Sequence, residues 1–315
     1  MSPSPQKVAV EVDGRQLTLS NLEKVLYPDA GFTKGEVIDY YTRIAPVLLP
    51  HVQDRALTFK RYPDGVEGQF FFAKNAPSHR PDWVRTVTLP SPGSTKNRDT
   101  INYVVLRAPE GRVMRDLPTL VWAANLAAIE LHVPMWRVTR TGKPKHPDML
   151  VFDLDPGPPA TIVECCEVAG HVRALLADDG LTAYPKTSGS KGLQLYVPLD
   201  EKAPWEDVHG YARQVAQQLE KDHPKLVVWN MKKELRAGKV LVDWSQNNAA
   251  KTTIAVYSLR ARAMPTVSTP VTWDEVDACE HPADLRFTSA DVLARVGEHG
   301  DLFAPTLDRS QRMPS

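Results

Sequence analysis

Phe152-Asp153-Leu154-Asp155-Pro156-Gly157 closes an apolar run, Met149-Leu150-Val151-Phe152, with two carboxylates set two residues apart. In a strand, alternate residues share a face, so Asp153 and Asp155 project together while Leu154 turns to the core. Carboxylates this close repel each other unless a cation lies between them. Their hard oxygens suit Mg²⁺ or Mn²⁺. Solvated acids at a strand end before a turn account for the same residues, so this motif alone leaves two readings open. A second apolar strand, Lys239 to Trp244, also ends in an acid, Asp243. Three carboxylates can hold two metals about 4 Å apart, one activating an attacking hydroxyl and one steadying a leaving phosphate. Asp243 as a cap for the turn at Ser245 is the plainer alternative.

Between these strands lies Thr187-Ser188-Gly189-Ser190-Lys191-Gly192. Its glycines let backbone amides approach phosphate oxygens, its serines offer hydroxyls, and Lys191 adds positive charge. The Walker spacing is absent. A hairpin turn explains the glycines equally well but does not call for the lysine. Arg236, Lys239, Arg260 and Arg262 bracket Asp243, with Lys232 and Lys233 nearby. Cations beside an acid cluster fit a triphosphate, although Lys232 and Lys233 also fit a solvated basic face.

Working outward, Val8 to Leu19 alternates around Asp13-Gly14 and reads as a hairpin, after a disordered tip. Thr33-Lys34-Gly35-Glu36 is a capping box, and Val37, Tyr40, Tyr41, Ile44, Val47 and Leu48 follow at helical spacing until Pro50 closes the helix. Ala56 to Asn75 is strand-like and carries Lys60, Arg61 and Phe70-Phe71-Phe72, whose composition alone favours the core. Residues 118–131 read as an apolar helix, and Arg137 to His146 as a basic loop. Helices are expected over 161–178, with Val163, Val168, Val172, Leu175 and Leu176 on the buried stripe, and from Trp205 to Lys221. The tail beyond Thr272 carries about twice as many acids as bases and reads as a helical cap away from any phosphate-binding face. Strands alternating with helices predict a mixed α/β architecture.

Composition narrows the class. Lysines plus arginines number 38 and acids 38, so no coat of positive charge exists, and nucleic-acid contacts must come from local patches. Cys165, Cys166 and Cys279 lack metal-type spacing, and the two adjacent cysteines are poorly placed to pair, which fits a reducing cytosol. The apolar stretch from Leu120 to Val133 is interrupted by Asn125, Glu130 and His132 and is too short for a bilayer.

The strings LEKVLYP, TKGEVIDYY, FFAKNAP, LHVPMW, LVFDLDPG, SGSKGLQLYVPL, LRAGKVLVDWSQN and KTTIAVYSLRAR resemble the polymerase domain of bacterial DNA ligase D, a primase-polymerase of the archaeo-eukaryotic primase superfamily. They run in that family's order from about Leu17 to Leu302. The resemblance implies a two-lobed fold with an RNA-recognition-motif-like catalytic sheet. It divides one domain of 315 residues into an N-terminal lobe to about 145, a catalytic lobe over 146–272 and an acidic cap over 273–315. It implies that Asp153, Asp155 and Asp243 bind two Mn²⁺ or Mg²⁺ ions. Ser188, Lys191, Arg236 and His132 match nucleotide contacts, and Gln246, Arg260 and Arg262 line the same site. Lys24 and Lys34 match lysines that grip the 5′-phosphate across a gap, where Lys34 also lies in a helix first turn whose free amides favour an anion. Phe71 and Phe72 match aromatics that stack on template bases. Without the resemblance, His132 reads as a buried structural histidine. One departure stands out: the family's usual histidine is Gln194 here, which removes up to one positive charge and predicts weaker hold on the triphosphate unless another cation substitutes.

The implied reaction is attack of a primer 3′-hydroxyl on the α-phosphate of an NTP or dNTP, with release of pyrophosphate. Its implied setting is short-gap filling or end joining in a bacterial cytoplasm, at the nucleoid, beside a DNA ligase and Ku, with no membrane. De novo priming is the nearest rival, and a non-catalytic DNA-end-binding module is the rival from another class, disfavoured by three intact acids. A haloacid-dehalogenase-type phosphatase is disfavoured by Pro156 and by the mid-chain position of the acids.

Overall fold

The computed structural model describes residues 7–91, 99–107 and 116–314; the N-terminal tip expected to be disordered, residues 1–6, lies outside them. The first hairpin pairs β1 (Lys7–Val12) with β2 (Arg15–Ser20) around Asp13 and Gly14, both at positive φ. A smaller pair, β3 (Val25–Tyr27) and β4 (Phe32–Thr33), leads into α1 (Lys34–Val52). There the Glu36 amide donates to Thr33 Oγ1 (3.2 Å) and the Thr33 amide donates to the Glu36 carboxylate (2.7 Å), so the capping box forms as expected. The helix does not stop at Pro50. It passes through Pro46 and Pro50 to Val52, because each proline removes one ladder bond while Leu48, Leu49 and Val52 stay packed in the core.

The strand-like segment divides into β5 (Thr58–Arg61) and β6 (Phe71–Ala73), and β7 (Thr86–Pro90) pairs with β8 (Thr100–Val104). The helix expected over 118–131 is half strand. α2 (Leu117–Asn125) ends early, Ala127 at φ 55 turns the chain, and β9 (Ala128–Val133) pairs with β5. Strand partners decide what an apolar run becomes, and periodicity alone does not. The expected basic loop is instead a hairpin of β10 (Trp136–Val138) and β11 (Pro144–Pro147).

The next elements are β12 (Met149–Pro156), α3 (Ile162–Asp178), β13 (Tyr184–Thr187), β14 (Leu193–Pro198), α4 (Trp205–Asp222), β15 (Val227–Val228) and β16 (Val240–Asp243). Their sheet order is β13-β14-β12-β16-β15, antiparallel except for the β15 edge. With the two-residue edge strand β15 set aside, the remaining elements have the β-α-β-β-α-β connectivity of an RNA-recognition-motif-like sheet. β17 (Thr253–Ile254) returns to the N-terminal half and completes a second sheet, β17-β9-β5-β6. α5 (Trp273–Asp277) and α6 (Ser289–His299) then cap the molecule, each from a capping box.

Alternation on β12 decides where the polar face lies. Leu150, Phe152 and Leu154 share a core with α3 and α4, whereas Met149 and Val151 join the core of the N-terminal half. Asp153 and Asp155 continue that second face. Just before β12, buried Asp148 accepts a two-pronged bond from Arg55 (2.8 and 2.7 Å) and a third from Arg137 Nε (2.9 Å). All three cysteines are buried and free. Among the described residues, no helix is long and apolar enough to cross a membrane.

Candidate active site

Cross-strand register sets four polar side chains in one row. Lys186 on β13 opposes Gln194 on β14, Gln194 opposes Asp153 on β12, and Asp153 opposes Asp243 on β16. Asp155 shares that face, two residues along. Gln194 Nε2 donates to Asp153 Oδ1 (3.0 Å). Asp243 Oδ1 accepts from Ser245 N (2.9 Å) and Ser245 Oγ (2.6 Å), while its Oδ2 accepts from Gln246 Nε2 (2.9 Å). Asp243 therefore does cap the following turn. Among the described residues, no three acids, histidines or cysteines stand drawn together as a ligand set. The three carboxylates nonetheless feel one another. Burial, then the charges of Asp155 and Asp243, push the Asp153 carboxyl up to about 7. Asp155 is raised by burial and by Asp243, against the opposing pull of Arg236, Lys191 and Arg260. An acid cluster short of positive charge is what a divalent cation would relieve.

The Thr187–Gly192 loop is tightly made. Ser188 Oγ accepts from Gly192 N (3.1 Å) and Ser190 N (3.3 Å), which leaves its hydroxyl hydrogen and exposed Lys191 for a ligand. Gly189 sits at φ +67, and a Cβ there would lie 2.6 Å from the Val267 backbone and 2.7 Å from Arg260 Cγ, so the loop and Arg260 approach only because no side chain intervenes. Likewise a Cβ on Gly157 would fall 1.9 Å from the Arg236 carbonyl oxygen. Arg236 donates from Nη2 to Met231 O (2.6 Å), yet its Nε is buried without a partner, as are Arg260 Nε and Gln246 Oε1. Nine buried side-chain polar atoms lack a partner among the described residues, and these three border the acid cluster, where a polar ligand would satisfy them. Lys239 turns away, donating to Pro224 O (2.6 Å), and Lys232 and Lys233 are exposed. The tail is not remote from this loop, contrary to expectation. His281 and Arg286, from the segment between α5 and α6, line a cavity of about 740 Å³ together with Lys191 and Arg262.

His132 is only partly buried and is not a bare structural histidine. Its Nε2 bonds Glu130 (2.9 Å), whose other oxygen accepts from Ala261 N (3.1 Å) and which also faces Arg260 (3.7 Å). Burial opposes ionisation of Glu130, but the His132 bond and the Arg260 and Lys60 charges hold its carboxyl down to about 2. Glu130 thus fixes two of the expected nucleotide residues, although in the sequence it serves only to interrupt an apolar run. Phe70, Phe71 and Phe72 are 50%, 45% and 54% exposed, so composition misplaced them in the core. They lie on or beside edge strand β6, with Lys60 Nζ 4.1 Å from the Phe70 ring centre, Arg61 5.0 Å from that of Phe71, and Phe72 edge-on to His132 at 5.9 Å. Exposed rings flanked by cations have the chemistry that stacking on bases requires.

Lys24 and Lys34 meet at the start of α1, but their surroundings differ from expectation. The first-turn amides are not free: Lys34 N donates to Lys24 O and Gly35 N to Leu22 O, both at 2.8 Å. Lys34 Nζ is buried against Ser20 O (2.5 Å), and Lys24 pairs with Asp64 (2.9 Å). Burial, then Lys24 and Arg61, lower the Lys34 amine to about 8.

A buried lysine lies behind Gln194. Lys186, which the sequence reading passed over, is wholly buried and donates to Gln194 Oε1 (2.5 Å), Ser268 Oγ (2.7 Å) and Ile254 O (3.2 Å). Burial lowers its pKa to about 7 while Asp153 pulls it back up; three acceptors at donor distance call for all three ammonium protons. A histidine at 194 would have to accept from Lys186 and donate to Asp153, which only the neutral ring can do. Gln194→His is therefore expected to change the Michaelis constant for nucleotide by no more than about twofold at pH 6 and at pH 8. A Michaelis constant that drops sharply at pH 6 alone would restore the charge-deficit reading.

Residues 33–303 match the family described as LigD, primase-polymerase domain. The chain is 48% identical over 290 residues to the multifunctional non-homologous end joining protein LigD of Mycolicibacterium smegmatis, covering 92% of this chain and 36% of that protein. It is 32% identical over 286 residues to the bifunctional non-homologous end joining protein LigD of Bacillus subtilis, covering 90% of this chain and 43% of that one. The chain thus spans less than half the length of these curated relatives. Among solved structures, the polymerase domain from Mycobacterium tuberculosis Ligase D in complex with DNA matches with a TM-score of 0.84 at 43% identity, over 92% of this chain and 98% of that chain.

Proposed function

The chain belongs to the LigD primase-polymerase domain family, DNA-directed nucleotidyltransferases of non-homologous end joining, and from that premise we propose which of its residues carry the reaction. Asp153, Asp155 and Asp243 would hold two divalent ions, Mn²⁺ or Mg²⁺. The observation that carries this is the placing of all three carboxylates on one sheet face, where burial and then the charges of Asp155 and Asp243 push Asp153 up to about 7. Hard oxygen donors in such a cluster fit either ion. When bound, the ions supply activation of the 3′-hydroxyl and charge neutralisation at the departing pyrophosphate.

The chain's own residues supply the rest. Ser188, Lys191, Arg236, Arg260 and Arg262 meet the triphosphate, with Gln246 and Gln194 holding the acids and His132 bordering the incoming nucleotide. Phe71 and Phe72 offer ring faces to the template. The N-terminal half holds the downstream 5′-phosphate through Lys24 and Lys34, and the sheet of β12 does the chemistry, a two-lobed division of labour. The substrate is then a gapped or broken duplex, in a bacterial cytoplasm at the nucleoid, beside a DNA ligase and Ku. Extension of a recessed 3′-end should be robust, while a single-stranded circle with no 3′-end should yield no product. Equal synthesis on the circle would favour a de novo primase.

Replacing both Lys24 and Lys34 with alanine should remove the preference for a 5′-phosphorylated gap, about ten- to a hundredfold in affinity, since charge-assisted bonds contribute roughly 1.5–3 kcal/mol. Binding to the unphosphorylated gap should hardly change. The sign with pH follows from Lys34: an anion needs the ammonium form, which declines as pH rises through about 8. The preference should weaken from pH 7 to pH 9. Equal losses on both substrates would mean that these lysines supply only general charge or support folding.

A further inference from the structure

We propose that Lys186 is a positioning residue for the reaction: its buried ammonium locks the Gln194 carboxamide so that the amide nitrogen, and not the oxygen, faces Asp153. An amide side chain has two similar ends, and rotation by half a turn exchanges donor for acceptor. Beside a carboxylate, one orientation gives a hydrogen bond and the other sets oxygen against oxygen. Lys186 removes the choice, because an ammonium only donates and Gln194 Oε1 lies 2.5 Å from it. The ammonium is itself held from three directions. Ser268 Oγ accepts from it at 2.7 Å while passing its own hydrogen to Thr187 O (2.8 Å), and Ile254 O accepts at 3.2 Å. All three donors are thereby used, with the Tyr196 ring 5.1 Å away on the same face.

The consequence reaches the acid cluster. With Gln194 Nε2 fixed on Asp153 Oδ1 (3.0 Å), that carboxylate is held at one rotation and its second oxygen is left to the neighbouring acids. Ile254 lies on β17 opposite His132, so the same ammonium also ties the acid-bearing sheet to the strand pair that carries a nucleotide residue. Tyr196 Oη also reaches Gln194 Oε1, at the longer distance of 3.5 Å, while Arg236, Lys191 and Arg260 act on Asp155.

The inference rests on Asp153 being a metal ligand, and the test separates the two. Mn²⁺ binding would be measured by calorimetry without nucleotide or DNA, beside kcat and KM for extension, in wild type, Lys186→Met, Gln194→Leu and the double variant. Wild type that binds no Mn²⁺ would remove the metal reading and this inference with it. With binding present, Lys186→Met should weaken Mn²⁺ affinity about tenfold, the worth of one net hydrogen bond. It should lower kcat and leave KM for nucleotide unchanged. The double variant should lose less than the sum of the two single losses, because Lys186 acts in large part through that amide while its charge also reaches Asp153 directly. Additive losses, or Mn²⁺ affinity unchanged in Lys186→Met, would overturn the proposal. Should Lys186→Met fail to fold, Ser268→Ala carries the same comparison. It loosens the ammonium without deleting it, and should shift Mn²⁺ binding in the same direction by less, again with a smaller loss in the Gln194→Leu background.

Discussion

Changing Asp153 or Asp155 to alanine is expected to abolish nucleotide addition, a loss of about three orders of magnitude or more, because several kcal/mol of charge stabilisation depend on the metals. DNA binding should survive nearly intact, since the proposed DNA contacts, Lys24, Lys34, Phe71 and Phe72, lie outside the strands that carry the acids. The fold should survive as well. Burial and mutual repulsion raise the Asp153 carboxyl to about 7, so its ionised form weakens the metal-free protein above that pH. At pH 8, Asp153→Ala should therefore melt no lower than wild type. Substantial synthesis by both variants, or a large fall in melting temperature, would remove these acids from the centre of the mechanism.

The largest effect on stability is expected at Asp148. It is buried with Arg55 and Arg137 and accepts three hydrogen bonds from them. Asp148→Ala leaves two buried guanidinium groups without their counter-charge, a change that costs about 3–5 kcal/mol. Against a typical total of about 5–15 kcal/mol, much of the molecule's margin would be lost. Arg55 follows α1 and Arg137 lies on β10, so the loss also frees the start of β12 from the N-terminal half. Urea unfolding of the purified variant measures it directly. A loss under about 1 kcal/mol would mean that neighbouring carbonyls, such as Pro134 O and Trp136 O, suffice for the arginines.

Legibility in the sequence followed the range of the interactions. The capping box at Thr33, the Asp13-Gly14 turn and the alternation along β12 are local, and each marks its element correctly. The second half of the 118–131 segment depends on pairing with β5, some seventy residues earlier, and periodicity cannot report that. Three adjacent phenylalanines suggest burial because aromatic area is large, yet an edge strand leaves them outside. The α1 amides were misjudged because their acceptors, Leu22 O and Lys24 O, come from a segment with no helical signal of its own. Lys186 was within reach. Pairing the strands around the Ser188–Gly192 loop puts Thr187 opposite Leu193 and so Lys186 opposite Gln194. A lysine in that register, beside an amide and an acid, was the signal for a buried ammonium.

The most direct test of the central claim is extension of a gapped, 5′-phosphorylated duplex by the purified protein with Mn²⁺ or Mg²⁺, offered each ribo- and deoxyribonucleotide singly. The expected result is addition of the template's complement to the primer 3′-end, dependent on the metal and stopping when the gap is filled. No incorporation with either metal, or incorporation indifferent to the template base, would contradict the assignment of this site to templated nucleotidyl transfer.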